Sequence, residues 1–272
     1  MTTPATGRMA PVTLNTSRAL APGQRLGRLE DPVGDFPFYN GVPVSLSAAQ
    51  WLFVMAAVVV GFLVLVLPIP WPGGPLGALI PALLFPVIPL AALARVAPGH
   101  WQAIFGKVGR RELRLMLGFA LLNIVVTMSV GAFVRAIADV TSNAATAQLG
   151  SMDTSGRIAF FAKTLPQLFG EEVVTILPFL AVLTLLSSRF GVGRKAAVVG
   201  AWLISSLIFG LIHLPTYDWN WVQCIVIIGT ARMVLSLAWI MTKNIWVSTG
   251  AHVINDWLLF TLSLVGAGLV GQ

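Results

Sequence analysis

Residues 47–69 read SAAQWLFVMAAVVVGFLVLVLPI, a stretch of 23 positions without a single charged side chain. About 20 mainly apolar residues are enough for an α-helix to cross the hydrocarbon core of a bilayer. Comparable apolar runs recur along the rest of the chain, at 75–95, 113–137, 165–187, 196–214, 221–241 and 245–270. The sequence therefore predicts an all-α, polytopic transmembrane bundle of about seven spans.

Composition supports the same fold class. The 272 residues are 57% hydrophobic and only 10% charged, whereas soluble domains carry about 25% charged residues. We divide the chain into a cytoplasmic, largely disordered tail with an interfacial end over 1–45, and the bundle over 46–272. The tail is rich in proline and glycine and poor in large apolar residues, a composition typical of disorder.

The net charge of +7 reflects membrane topology. Basic residues concentrate before the first span and in alternate loops, at Arg8, Arg18, Arg25, Arg28, Lys107, Arg110, Arg111, Arg114, Arg189, Arg194, Lys195 and Lys243. This alternation is the positive-inside pattern. It predicts a multi-pass protein of the cell membrane with a cytoplasmic N-terminus and an external C-terminus. The basic residues face the lipid bilayer's cytoplasmic side, and no nucleic-acid partner is expected.

Ionisable residues inside apolar runs are costly, at roughly 2.5–3.5 kcal/mol each, and they tend to mark function. Six such residues occur in the last four runs: Glu171, Glu172, His213, Arg232, His252 and Asp256. Asn255 is their polar neighbour in the last span. These residues are the candidate site.

Spacing indicates how the candidates could meet. His252 and Asp256 are four residues apart and share a helix face. Phe209 and His213 have the same spacing, and Gly210 between them permits close helix approach. Glu171 and Glu172 point about 100° apart, so one carboxylate would do the chemistry and the other would support it. Such a set could activate water by general base catalysis, and it could equally bind zinc.

These motifs resemble those of the CAAX-protease and bacteriocin-processing family of intramembrane proteases (CPBP, also called Abi). That family carries a Glu-Glu pair, then Phe-x-x-x-His, then His-x-x-x-Asn or Asp. Here the three motifs are Glu171-Glu172, Phe209 to His213 and His252 to Asp256, within a core of about 165–260.

The resemblance implies an intramembrane endopeptidase of a membrane-associated, in some members prenylated, peptide substrate. Glu171 would polarise a water and Glu172 would support it. His213 and His252 would position the water, stabilise the oxyanion, or hold a divalent metal together with Glu171. Asp256 would take the last motif position. The cofactor stays open between none and a metal such as zinc.

One position departs from the family pattern. The family has an arginine four residues after the second glutamate, where this chain has Ile176. Arg232, which needs a partner at mid-span, is the candidate replacement, and we expect it to pair with a glutamate. The departure leaves two alternatives open: a catalytically silent membrane scaffold of the same fold, and a proton- or cation-coupled transporter that uses the same carboxylates.

Overall fold

The structure is a computed structural model that describes residues 20–21 and 23–270, with the backbone alone at 75–76, 144–145, 147 and 266–270. Every regular element in this part of the chain is helical. The main helices are α1 Ala48–Val66, α2 Gly74–Val96, α3 Arg110–Arg135, α4 Ala144–Ser151, α5 Thr154–Thr184, α6 Arg194–Ile212, α7 Gly229–Thr242 and α8 Ile245–Val270. A π-helical turn, Leu185–Arg189, extends α5, and a π-helical stretch, Gln223–Ile228, leads into α7.

The predicted spans are confirmed as helices. Six helical stretches among the described residues are long and apolar enough to cross a membrane, namely Ala48–Val66, Gly77–Val96, Arg110–Arg135, Thr154–Arg189, Arg194–Ile212 and Gln223–Thr242. The seventh expected span corresponds to α8, whose apolar character is reduced by His252, Asn255 and Asp256. The chain is therefore a multi-pass, all-α membrane bundle.

Local sequence explains where several helices begin. Ser47 and Gln50 form a reciprocal capping box at the start of α1, which satisfies amide groups that the first helical turn leaves unpaired. Asp153 accepts a 2.8 Å hydrogen bond from the Gly156 amide at the start of α5. These side-chain caps fix the residues at which α1 and α5 begin.

The α5 helix is the centre of the bundle. It contacts α1, α2, α6 and α8, and most of its apolar side chains are buried. Gly210 supports the predicted close approach on α6, because a Cβ atom there would lie 2.5 Å from the Cys224 carbonyl oxygen. This close approach packs the π-helical stretch that leads into α7 directly against α6.

The bundle has two distinct ends. At the first, which we call the basic end, α3 and α6 begin and α7 ends. At the opposite end, the connection after α3 contacts the approach to α7, where the Thr141 amide donates a 2.7 Å hydrogen bond to Gln223. The connection between α3 and α5 lies at this opposite end and contains the short helix α4.

Part of the predicted tail packs on the bundle where the structure describes it; residues 1–19 and 22 lie outside the described residues. Phe36 and Phe38 are each 1% exposed and belong to the main hydrophobic core. Glu30 is buried against Arg194 of α6, and its carboxylate lies 3.1 Å from the Lys243 ammonium after α7. The segment packs on the bundle because its few large apolar and charged side chains find partners at the basic end.

Candidate functional site

Glu172 forms the most buried part of the site. Its Oε1 atom accepts a 2.6 Å hydrogen bond from Arg232 Nη1 and lies 2.9 Å from His252 Nδ1. Both members of the ion pair are essentially inaccessible to solvent. The predicted Arg232–glutamate pair is therefore confirmed. It supplies from α7 the positive charge that the family pattern would place at Ile176, which here is buried among apolar side chains.

Glu171 has a different environment from its neighbour. Its side chain is 13% exposed, and its Oε2 atom lies 3.8 Å from His252 Nε2. Gln167, one turn earlier on α5, donates a 3.4 Å hydrogen bond to Glu171 Oε1. The two glutamates thus divide as predicted, with Glu172 buried in an ion pair and Glu171 reachable from a cavity.

His252 connects the two carboxylates. An ionised carboxylate can only accept a hydrogen bond, so Nδ1 carries a proton that it donates to Glu172 Oε1. The other ring nitrogen, Nε2, lies 3.8 Å from Glu171 Oε2 and 3.7 Å from Asp256 Oδ1. One oxygen atom about 2.8 Å from each partner fits beside atoms at this separation. The hydrogen bond to Glu172 therefore fixes the ring at Nδ1, and Nε2 faces the carboxylates of Glu171 and Asp256.

His213 reaches the site from the end of α6. Its Nδ1 atom lies 2.7 Å from the Phe209 carbonyl oxygen, which only accepts, so Nδ1 carries a proton here too. The Phe209 ring lies 4.4 Å from the His213 ring and 6.4 Å from the His252 ring, measured between centroids. The Arg232 guanidinium stands 4.9 Å from the centre of the same ring. Phe209 thus packs against both histidines.

A series of hydrogen-bonded side chains that sequence reasoning missed begins on α3 and ends in the site. Asn123, buried at 1% exposure, donates a 3.0 Å hydrogen bond to Asn255 Oδ1, and Asn255 donates a 2.8 Å bond to Asp256 Oδ1. Asn123 lies within an otherwise apolar run, which is a signal that could have identified it. These two hydrogen bonds hold the carboxylate of Asp256 beside His252.

The predicted residues surround a single cavity of about 740 Å³. Seven of them line it: Glu171, Phe209, His213, Arg232, His252, Asn255 and Asp256. Glu172 is not among the lining residues and lies behind them. Residues of the connection after α3 also line the cavity, so it extends toward the end of the bundle opposite the basic end.

The suggested metal ligands do not form a binding set. Within the described residues, no three His, Cys, Asp or Glu side chains are arranged to hold a metal ion. Glu171, His213 and His252 line the same cavity, and the Phe209 ring packs against both imidazoles. The residues present do not fit a three-ligand metal centre, and no chemical step is assigned to a metal.

Fold and site together define a class: a polytopic membrane protein with carboxylates and imidazoles gathered in a cavity inside its helical bundle. Residues 155–258 match the family model described as type II CAAX prenyl endopeptidase Rce1-like. This match covers the segment that carries the three motifs and confirms its resemblance to the CAAX-protease-like CPBP family. No curated protein and no solved structure matches the chain significantly. The family match covers the segment from α5 to α8, so Asn123 on α3 lies outside it.

Proposed function

We propose that the protein is an intramembrane endopeptidase that hydrolyses a peptide bond of a membrane-associated, including prenylated, substrate. The observation that carries the proposal is the position of Glu171. Its carboxylate faces the cavity and lies 3.8 Å from His252 Nε2, while Glu172, which is paired with Arg232, contacts Nδ1 of the same imidazole. A general base needs this combination of access and fixed geometry.

In the proposed reaction Glu171 accepts a proton from water as the water oxygen attacks the carbonyl carbon of the peptide. His252 Nε2 and the Asp256 carboxylate orient that water. His213 stabilises the negative charge that develops on the carbonyl oxygen. The carbon–nitrogen bond then breaks, and Glu171 returns its proton to the departing amine. Glu172 supports the reaction through its hydrogen bond with His252, and Arg232 holds Glu172 in place.

We also propose the orientation that the basic residues predict, with the N-terminus in the cytoplasm of a cell-membrane protein and the C-terminus outside. The two termini themselves lie outside the described residues. The basic residues Arg111, Arg194, Lys195 and Lys243 occur at one end of the bundle. In this orientation the cavity extends toward the external face.

The proposal is tested by peptide cleavage with the purified protein in lipid nanodiscs. Wild type is expected to release a new amino terminus from a farnesylated reporter peptide, whereas Glu171→Gln and His252→Ala should not. Glu112→Gln, which changes a carboxylate at the start of α3, is the matched control and should cleave normally. Equal cleavage by wild type and Glu171→Gln would contradict the assigned role of Glu171.

A catalytically silent scaffold is the second candidate, and Ile176 is the observation that favours it. The position of the family's arginine is apolar here, which removes a charge from the helix that carries the glutamates. Arg232 supplies a positive charge to Glu172 from α7, so position 176 of α5 itself carries none. Complete absence of cleavage by a folded wild-type protein would favour the scaffold.

A further inference from the structure

A second charged feature of the cavity lies away from the glutamates. Lys163 of α5 lines the cavity and is half-buried. It makes no hydrogen bond or ion pair with any other residue that the structure describes. Arg135, at the end of α3, lines the same cavity. The only acidic side chains among the lining residues are Glu171 and Asp256, both at the candidate active site.

Helix geometry fixes the relation between Lys163 and Glu171. Lys163, Gln167 and Glu171 are spaced by four residues and therefore follow one face of α5. The 3.4 Å hydrogen bond between Gln167 and Glu171 shows that side chains at this spacing meet. Eight residues correspond to about 12 Å along the axis. Both side chains lean toward the start of the helix, so their charged groups keep roughly the same offset.

That offset corresponds to a short piece of extended peptide. At about 3.3–3.6 Å per residue, roughly 12 Å is covered by three to four residues. A substrate whose scissile bond lies at Glu171 would therefore bring a group three to four residues away to Lys163. An ammonium in a partly buried cavity favours an anion there, and peptides offer carboxylates.

We propose that Lys163 is a specificity-determining residue that binds a substrate carboxylate three to four residues from the scissile bond. This inference rests on the proposed function, since it uses Glu171 as the reference point. The carboxylate is either the terminal one of the peptide chain or that of an acidic side chain. Arg135 also lines the cavity and adds to its positive charge.

The test measures binding rather than turnover, in the Glu171→Gln background and in lipid nanodiscs. Three fluorescent peptides are compared, each ending in farnesylated Cys followed by Val-Leu-Ala: the free acid, the terminal amide, and the amide with aspartate replacing the final alanine. The free acid is expected to bind about tenfold more tightly than the amide, as for a charge-assisted hydrogen bond. Tight binding of the aspartate peptide would identify a side-chain carboxylate as sufficient.

Lys163→Gln is expected to remove this preference of about tenfold without changing the affinity for the amide, and Lys163→Arg should restore it. Lys195→Gln, which neutralises an exposed lysine at the basic end, is the matched control and should keep the preference. A preference that survives in Lys163→Gln, or no preference in the parent protein, would overturn the inference. Failure of every peptide to bind would overturn it too, whereas the separate cleavage assay decides the proposed function.

Discussion

Replacing Arg232 by methionine should destabilise the protein strongly, because Glu172 would be left as an isolated charge in the bundle. The two side chains meet at 2.6 Å and are at most 1% exposed. Removing one partner of such a buried pair costs about 3–5 kcal/mol. The guanidinium also packs over Phe209, at 4.9 Å from the ring centre, and contacts of this type contribute about 0.5–2 kcal/mol.

The assay is the free energy of unfolding in mixed micelles, measured for Arg232→Met, Glu172→Gln and the double variant. The double variant should recover most of the loss, since the amide introduced at position 172 carries no charge and its oxygen could still accept a hydrogen bond from His252. Arg114→Met removes an exposed arginine at the start of α3 and should change the free energy by less than about 0.5 kcal/mol. If Arg232→Met is as stable as the Arg114 variant, the buried ion pair does not contribute as argued.

Three further outcomes are expected. Asn123→Ala should lower kcat about tenfold with little change in KM, because a misplaced catalytic group slows the chemical step; an unchanged kcat would show that this chain of hydrogen bonds does not position the site. Burial alone would raise the pKa of Glu30, but its hydrogen bond to an arginine and the surrounding positive charges hold that pKa below its usual value. The stability it contributes is therefore complete above about pH 4.5 and is lost as the pH falls further, so the unfolding midpoint of Glu30→Gln should depend less on acid pH than that of wild type, and parallel pH profiles would contradict this. Finally, with the chain's single cysteine replaced, Ser142→Cys at the cavity should react with a membrane-impermeant maleimide in intact cells, and Lys195→Cys only after permeabilisation; the reverse pattern would place the cavity on the cytoplasmic side.

The spans and the site could be predicted from sequence for the same physical reason. A charged side chain in an apolar run is costly, so each one marks a place where the fold must provide a partner. Arg232 illustrates this: it is a single arginine in its span, and the unusual Ile176 left Glu172 in need of a positive charge. The Arg232–glutamate pair could be predicted because each charge required a partner of opposite sign.

Other features depend on contacts that no local pattern records. An asparagine such as Asn123 is only moderately unfavourable in an apolar run, and its role becomes visible when α3 packs against α8. Phe36 and Phe38 belong to the predicted interfacial end of the tail, and their burial in the main core depends on contacts with distant helices. Sequence order also does not reveal that Phe209 packs against both His213 and His252.

The most direct test of the central claim is a census of new peptide amino termini in membranes from cells that express wild type, Glu171→Gln or His252→Ala at matched levels. The account predicts new termini near membrane spans or membrane anchors with wild type, and their loss in both variants. Identical profiles in all three, with each protein folded and equally abundant, would contradict proteolysis and favour the silent scaffold.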